Sequence, residues 1–156
     1  MTQMVKAIRI ERNGGPEVLQ WASVALPAPQ EKEVTIRQKA VGLNFIDIYF
    51  RNGLYSSPLP HGLGFEASGI VEAVGEGVRH LNVGDRVAYG ESPLGAYAEA
   101  RNVPADRVVR IPDGITFEQA AAMMLKGLTC WYLLRQTYRV HEGQTILFHA
   151  AAGGVG

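Results

Sequence analysis

The chain has 156 residues, enough for one folded domain or for one domain and part of a second. Its 47% hydrophobic and 19% charged residues are ordinary for a globular protein and exclude a disordered chain. Because 15 basic residues balance 15 acidic ones, the charge indicates neither a nucleic acid nor an anionic membrane as a partner.

Short strands separated by turns are predicted as far as about residue 110, because runs of β-branched or alternating residues are bounded there by Gly, Pro, Asn or Asp. The runs are VKAIRIE (5–11), EVTIRQKAVGLN (33–44), ASGIVEAVG (67–75), GDRVAYG (84–90), GAYAEARNV (95–103) and DRVVRI (106–111). Their spacing favours an antiparallel barrel or sandwich. A short helix is predicted among them at NFIDIYFRNGLY (44–55), where bulky apolar residues lie at helical spacing.

After residue 115 the pattern becomes helical. Thr116 and Gln119 form a capping-box pair ahead of the amphipathic run FEQAAAMMLKGLTCWYLLRQTY. Gly127 weakens a helix by about 1 kcal/mol, so this run is compatible with two helices that meet there. A strand, TILFHA at 145–150, and a glycine turn at 151–156 follow. The predicted organisation is a mostly β domain over 1–115 and the start of a second domain over 116–156.

The glycine turn has the spacing of a dinucleotide-binding turn. Ala151, Gly153 and Gly156 hold positions one, three and six, where small residues let the backbone turn tightly and approach a pyrophosphate. The motif alone is weak, since any strand-ending glycine turn has the same look, and the apolar strand before it favours the nucleotide interpretation. The helix and the ribose-binding acid of such a site are expected beyond residue 156.

A second constellation, GLGFEASGIVEAVGEGV at 62–78, resembles the zinc alcohol dehydrogenase signature of the medium-chain dehydrogenase/reductase superfamily. Phe65 stands where that signature has a zinc-binding histidine, and Asn44 stands where the dehydrogenases carry a cysteine ligand. A phenyl ring offers no lone pair, and an amide oxygen is a poor zinc ligand beside a thiolate. We therefore expect no metal site.

This segment is joined by GGPEVLQ, VGLNFIDIYFRNGLY, GDRVAYG, LGAYAE, AAAMMLKGLT and LFHAAAGGVG. Together they resemble the NADPH:quinone oxidoreductases, the zinc-independent branch that includes zeta-crystallin. The resemblance implies a mostly β GroES-like barrel domain, followed by the opening helix and strand of a Rossmann α/β domain. It also implies NADPH as cofactor, a quinone or related enone as substrate, hydride or single-electron transfer to it, and a homodimer when the protein is full length.

The resemblance assigns site residues as well. It places a cleft loop near the nicotinamide, formed by Asn44, Phe45, Ile46, Asp47, Ile48 and Tyr49. Within and beside this loop, the residues implied to act on the substrate are Asn44, Tyr49 and Tyr55, the last of which lines the quinone pocket. Further residues are implied to contact the cofactor, the glycine turn through its backbone: Lys126, Thr129, Tyr132, Gly153, Gly154, Val155 and Gly156.

The residues taken alone leave other interpretations open. Asn44 and Asp47 are also suited to capping the short helix, and Tyr55 and Tyr132 to packing. Lys126 is equally suited to reaching solvent from its helix. Glu66, without a metal partner, is expected to hydrogen-bond within the fold. The four histidines are scattered along the chain, so structural or surface roles are expected for them.

Two other functions are compatible with the sequence. The closest enzymatic alternative is a medium-chain enoyl or 2-alkenal reductase, and a non-catalytic binding domain is the alternative from a different class. For the 156-residue chain in isolation we expect little NADPH affinity, because the pyrophosphate helix and the ribose acid are missing. A cytoplasmic location is expected, since we find no signal-peptide core and no run of roughly 18 apolar residues.

Overall fold

β-Strands dominate the fold as far as residue 110, as predicted. The computed structural model describes residues 2–91 and 93–156. Its strands are β1 Gln3–Ile10, β2 Gln20–Leu26, β3 Glu33–Val41, β4 His61–Gly62, β5 Ala67–Val74, β6 Arg86–Tyr89, β7 Ala100–Pro104 and β8 Val108–Arg110. The helices are α1 Phe45–Asn52 and α2 Phe117–Trp131, with 3-10 turns at Pro16–Val18 and Ala105–Arg107 and a π-helical turn at Tyr132–Thr137.

The described strands form two antiparallel sheets. A three-stranded sheet has the order β2-β1-β4, and a five-stranded sheet has the order β7-β3-β5-β6-β8. The main core lies on the larger sheet, where alternate apolar side chains from several strands are fully buried: Val34, Ile36, Val71, Val87 and Val103. At the end of the β3–β5 pair, Val41 lies opposite Ala67. This register brings the segment that leaves β3 next to the segment that enters β5.

α1 begins directly after β3 and is fixed at both ends. Asp47, in its first turn, accepts a hydrogen bond from the main-chain N–H of Asn44 at 2.9 Å. At the other end Gly53 adopts a left-handed conformation, with φ of 84°, which glycine takes without steric cost. The side chain of Asn13 donates to the carbonyl oxygens of Phe50 and Arg51 at 3.1 and 3.2 Å. The predicted short helix is therefore confirmed.

α2 begins with the predicted capping box. The N–H of Gln119 donates to Thr116 Oγ1 at 3.2 Å, and the N–H of Thr116 donates to Gln119 Oε1 at 2.9 Å. Ser68 Oγ on β5 donates to the carbonyl of Phe117 at 2.6 Å, and Ala120 is buried against the sheet. These contacts dock the first turns of α2 on the five-stranded sheet.

The possible break at Gly127 is wrong, because one helix runs from Phe117 to Trp131. The cost of about 1 kcal/mol for a helical glycine is small beside the packing that stabilises most helices in proteins. The regular ladder changes only after Trp131, where the chain enters the π-helical turn Tyr132–Thr137.

The predicted strand TILFHA is wrong as well. Residues 145–150 carry no strand, and Leu147 is 86% exposed. A strand needs a neighbour for its N–H and C=O groups, and none of the described strands pairs with this segment. Of the predicted opening of a Rossmann domain, the helix is formed and the strand is not. The boundary at residue 115 stays a prediction.

The remaining differences concern the β-domain. In the predicted run 95–103, only the part from Ala100 belongs to a strand. Before it, Tyr97 bridges other segments, since its N–H donates to Leu63 O at 2.8 Å and its carbonyl accepts from Ile8 N at 2.7 Å. Two strands, β2 and β4, were not predicted. β4 has two residues, too few for an alternating pattern.

Candidate active site

Asn44, Glu66 and Lys126 form a cluster where α1, the start of β5 and α2 meet. Asn44 Nδ2 donates to Glu66 Oε1 at 2.7 Å, and Lys126 Nζ donates to Asn44 Oδ1 at 2.8 Å. Lys126 Nζ also lies 3.5 Å from Glu66 Oε1 and 3.4 Å from the carbonyl of Leu43. The Asn44 amide is thus held between a carboxylate and an ammonium group.

Glu66 is the buried member of this cluster, with 0% of its surface exposed. Its second oxygen, Oε2, accepts the N–H of Leu125 in α2 at 2.6 Å. The carboxylate also fills the space beside Gly42, where a Cβ atom would overlap it. The expectation that Glu66 hydrogen-bonds within the fold is confirmed.

Asp47 closes the other side of the loop and is 3% exposed. Its Oδ2 accepts from Asn44 N and from the hydroxyl of Tyr97, at 2.9 and 2.6 Å. Burial raises the pKa of Asp47 above its ordinary value, while the hydrogen bonds from Tyr97 and Asn44 act in the opposite direction. Burial is the main cause that raises the pKa of Tyr97 above its ordinary value, and the hydrogen bond to Asp47 raises it further. The helix-capping interpretation is confirmed for Asp47.

Asn44 is the N-cap residue of α1 and forms a capping box with Asp47, so the capping hypothesis is confirmed for both residues. Capping does not account for all contacts of the Asn44 amide, because Nδ2 also donates to Glu66 and Oδ1 also accepts from Lys126. This charged cluster is the feature that distinguishes the site.

An aromatic group lies beyond the loop. The rings of Tyr49 and Tyr55 meet edge to face at a centroid distance of 5.4 Å, and Phe50 contacts Tyr55 at 5.5 Å. Tyr55 is 45% exposed, so the packing hypothesis for it holds in part. No hydrogen bond joins the hydroxyl of either tyrosine to another residue that the structure describes. Phe45, on the same helix, is 77% exposed and presents an apolar face to solvent.

Phe65 takes part in this apolar packing. Its ring lies 5.4 Å from that of Phe50, so the position where the zinc signature has a histidine holds an aromatic contact. Within residues 2–91 and 93–156, no group of three or more His, Cys, Asp or Glu side chains is arranged to hold a metal ion.

The predicted residues of α2 and its extension differ in their surroundings. Lys126 points into the Asn44 cluster, so the solvent-reaching alternative is wrong for its amino group. Thr129, three residues on, donates its hydroxyl to Leu125 O at 2.7 Å. Tyr132 is exposed at the start of the π-helical turn, and its packing interpretation is wrong in this structure.

The glycine turn lies against the same side of α2. A Cβ atom on Gly154 would sit 2.9 Å from Cε of Lys126, and Cys130 Sγ donates to Val155 O at 3.2 Å. Gly153 N donates to Ala150 O at 2.8 Å. No described group accepts a hydrogen bond from the main-chain N–H groups that follow it in the turn, those of residues 154–156. The structure thus links the Asn44 cluster to the turn through Lys126.

Sequence reasoning missed Tyr97 as part of the site. It lies 50 residues from Asp47 along the chain, in a segment that carries no cofactor or helix-capping motif. The only local signal was its place in an alternating run, which predicts a buried side chain and not a partner for its hydroxyl.

Ile46 and Ile48, which were predicted to belong to the cleft loop of residues 44–49, contribute apolar side chains to that loop.

The strand arrangement and the cluster together define the class of domain. Residues 30–113 match the family described as "Alcohol dehydrogenase GroES-like domain", and the chain belongs to that family. The predicted GroES-like domain is therefore confirmed. None of the described helices has the length and apolar character needed to cross a membrane.

Individual relatives of the chain indicate a narrower relationship than the domain family does. Quinone oxidoreductase from Pseudomonas aeruginosa is 58% identical over 154 residues, which cover 98% of this chain and 47% of that protein. The structure of Escherichia coli quinone oxidoreductase complexed with NADPH matches with a TM-score of 0.93 at 53% identity, covering 96% of this chain and 46% of the other. A Burkholderia 2-haloacrylate reductase is 42% identical over 160 residues, covering 98% and 48%.

These matches confirm the predicted resemblance to the quinone oxidoreductases. The chain spans about half the length of the curated relatives it matches, 47% in the case of the Pseudomonas protein.

Proposed function

We propose that the natural polypeptide containing these residues is an NADPH-dependent quinone oxidoreductase. The observation that carries this proposal is the Asn44 amide, held between Glu66 and Lys126 and joined through Lys126 to the glycine turn. The names of the Pseudomonas and E. coli relatives, and the NADPH complex of the latter, support it.

The residues present suit part of an NADPH site. The N–H groups of residues 154–156 have no described acceptor, and a run of such groups suits phosphate oxygens. Lys126 adds a positive charge beside them. The exposed side chains of Phe45 and Ile48 offer apolar surface to an aromatic ring, and Asn44 offers a fixed amide.

When bound, NADPH supplies the reducing equivalents, and the protein orients the acceptor and excludes water. Quinone reduction spreads negative charge over an aromatic ring, so modest hydrogen bonding suffices to stabilise it. The hydroxyls of Tyr49 and Tyr55 are free of described partners and are suited to this task. The role of Thr129 and Tyr132 as cofactor contacts stays a prediction, as do the homodimer and the cytoplasmic location.

Reduction of a polarised C=C bond is the second candidate. It is favoured by the likeness to 2-haloacrylate reductase, at 42% identity over 98% of this chain. The same cleft suits both acceptors, because each takes up a reducing equivalent on an electron-poor π-system. This candidate corresponds to the enoyl or 2-alkenal reductase alternative.

The experiment is NADPH oxidation by the natural polypeptide, followed by absorbance, with a panel of acceptors. The panel contains a 1,4-benzoquinone, a 2-alkenal, a 2-haloacrylate and a simple ketone. The proposal expects the largest kcat/KM for the quinone. A preference for the alkenal or the haloacrylate supports the second candidate, and turnover of none of them contradicts both.

The 156-residue chain by itself is a separate case. We infer that it binds NADPH weakly, because the main-chain N–H groups that suit the phosphates lie in an exposed turn. A fluorescence titration tests this inference, and micromolar affinity of the isolated chain contradicts it. Weak NADPH affinity also agrees with the third alternative, a non-catalytic binding domain. That alternative applies only to the isolated chain.

A further inference from the structure

Glu66 contacts neither cofactor nor acceptor in the function proposed above, yet it touches more of the site than any other described acid. Its Oε1 accepts from Asn44 at 2.7 Å, and its Oε2 accepts from Leu125 N at 2.6 Å. It also pairs with Lys126 at 3.5 Å. A carboxylate that is fully buried is costly unless it is paired and hydrogen-bonded, and here both conditions are met.

The orientation of the Asn44 amide follows from these charges. In the observed orientation Nδ2 faces the carboxylate of Glu66, and Oδ1 faces the ammonium group of Lys126. Rotating the amide by half a turn places its oxygen against the carboxylate and its NH₂ group against the ammonium. Both contacts are then repulsive, so Glu66 and Lys126 together specify one orientation.

Glu66 also joins separate parts of the chain. It lies 22 residues from Asn44, 59 from Leu125 and 60 from Lys126. The Glu66 carboxylate therefore fixes the loop before α1 relative to the main chain of α2 at Leu125. Lys126, which pairs with Glu66, also has its side chain beside Gly154 of the glycine turn.

We propose that Glu66 is a positioning residue of the site, which holds the Asn44 amide in one orientation and sets the register of the loop before α1 against α2. This inference rests on the proposed function for its effect on catalysis. Its structural part, the fixed amide, is independent of that function. Glu66 contacts neither cofactor nor substrate in this role and acts through Asn44 and Lys126.

Glu66→Gln is the direct test, since it preserves shape and removes the charge. The new side chain must turn its oxygen to Leu125 N, so its NH₂ group faces the donor group of Asn44. We expect kcat/KM for NADPH oxidation with a quinone to fall about 100-fold, which is the effect of misplacing a reacting group by about 1 Å. Glu72→Gln, which alters an exposed carboxylate paired with Arg37, is the matched control with wild-type kinetics.

A spectroscopic readout separates positioning from mere stabilisation. In the isolated chain, the side-chain amide resonances of Asn44 report its hydrogen bond to a carboxylate and are expected to exchange slowly with solvent. In Glu66→Gln they are expected to shift and to exchange faster, while in Glu72→Gln they stay unchanged. Fast exchange of the Asn44 side-chain amide in the wild-type chain overturns the inference by itself. The test therefore does not depend on whether Glu66→Gln folds.

The two proposals fail in distinguishable ways. A slowly exchanging Asn44 amide together with no quinone-dependent NADPH oxidation overturns the proposed function and leaves the positioning of the amide standing. A folded Glu66→Gln variant with wild-type kcat/KM overturns the role of Glu66 while the function stands. Glu66→Asp, which keeps the charge but shortens the reach, is expected to retain more activity than Glu66→Gln.

Discussion

The Asn44 cluster and the glycine turn are both parts of the candidate site, yet the described chain completes only one of them. In the cluster, each polar side chain has partners, and Glu66 is fully buried. In the turn, the N–H groups of residues 154–156 have no described acceptor, and most of the turn is exposed. The first region is organised in advance, and the second offers main-chain donors that no described residue occupies.

This difference indicates how the work is divided. Preorganised dipoles and charges are suited to the reacting end of a cofactor, where orientation matters most. Free backbone N–H groups are suited to a phosphate, which can be held by any set of convergent donors. Changes in the cluster are therefore expected to affect stability as well as activity, and changes in the turn to affect ligand binding alone.

Lys126→Met is expected to have the largest effect on stability. It leaves the buried carboxylate of Glu66 without its ion-pair partner, and unfolding is expected to become easier by about 3 kcal/mol. Urea unfolding of the chain measures this change. Lys39→Met is the matched control, since Lys39 is exposed and has no described partner. Equal midpoints for both variants contradict the account of the cluster.

Gly42→Ala tests the space that the cluster requires. The added Cβ atom overlaps the carboxylate of Glu66, and overpacking of this kind costs about 1–3 kcal/mol. Gly127→Ala provides the contrast, because nothing lies within 4 Å of its Cβ position and alanine favours a helix by up to about 1 kcal/mol. Thermal unfolding is expected to shift down for the first variant and up for the second. Equal shifts count against the packing described here.

The pH dependence of stability tests the buried carboxyl of Asp47. Because its folded-state pKa is raised, the fold favours the protonated form. Its stabilising contribution is therefore fully present below its unfolded-state pKa and is lost as pH rises through its folded-state pKa. We expect this pH-dependent loss in the free energy of unfolding of the wild-type chain and expect it to be absent in Asp47→Asn.

Asp85→Asn is the control for this titration and has the opposite sign. The hydrogen bond from Asn82 N is the main cause that lowers the pKa of Asp85. Its contribution is present above its unfolded-state pKa and is lost as pH falls through its folded-state pKa. The quantity compared is the wild-type free energy of unfolding minus that of each variant, plotted against pH. A flat curve for Asp47→Asn, or curves of the same slope for both variants, contradicts the burial of Asp47.

Gly154→Ala is expected to have the smallest effect on folding. The added Cβ atom meets Cε of Lys126 at 2.9 Å, and the methylene chain of Lys126 can shift while its ammonium group keeps its contacts with Asn44 and Glu66, so stability is expected to change by less than about 0.5 kcal/mol. NADPH affinity of the natural polypeptide is expected to fall, because the new methyl group lies between the turn and the lysine. Unchanged affinity removes the turn from the cofactor site.

Local patterns predicted what local interactions determine. Thr116 with Gln119 marked the start of α2, and the spacing around residues 45–52 marked α1, because caps and helical periodicity involve neighbours in sequence. The identity of Asn44 and Lys126 as site residues came from the family resemblance. Their contact joins positions 82 residues apart, which no local pattern reveals.

The failures have the same origin. TILFHA has the composition of a strand, but a strand depends on a neighbour, and no described strand pairs with it. Gly127 suggested a break, yet docking of the helix on the sheet outweighs a single glycine. Tyr97 was missed because its role depends on Asp47, 50 residues away.

The central claim is that the Asn44 amide orients the reaction of NADPH with a quinone, and steady-state kinetics of Asn44→Ala in the natural polypeptide test it most directly. Asn82→Ala is the matched control, because that exposed side chain makes no described hydrogen bond. The account predicts that kcat/KM for the quinone falls about 100-fold in Asn44→Ala, the effect of removing one preorganised donor, and is unchanged in Asn82→Ala. Equal kcat/KM values for the two variants contradict it.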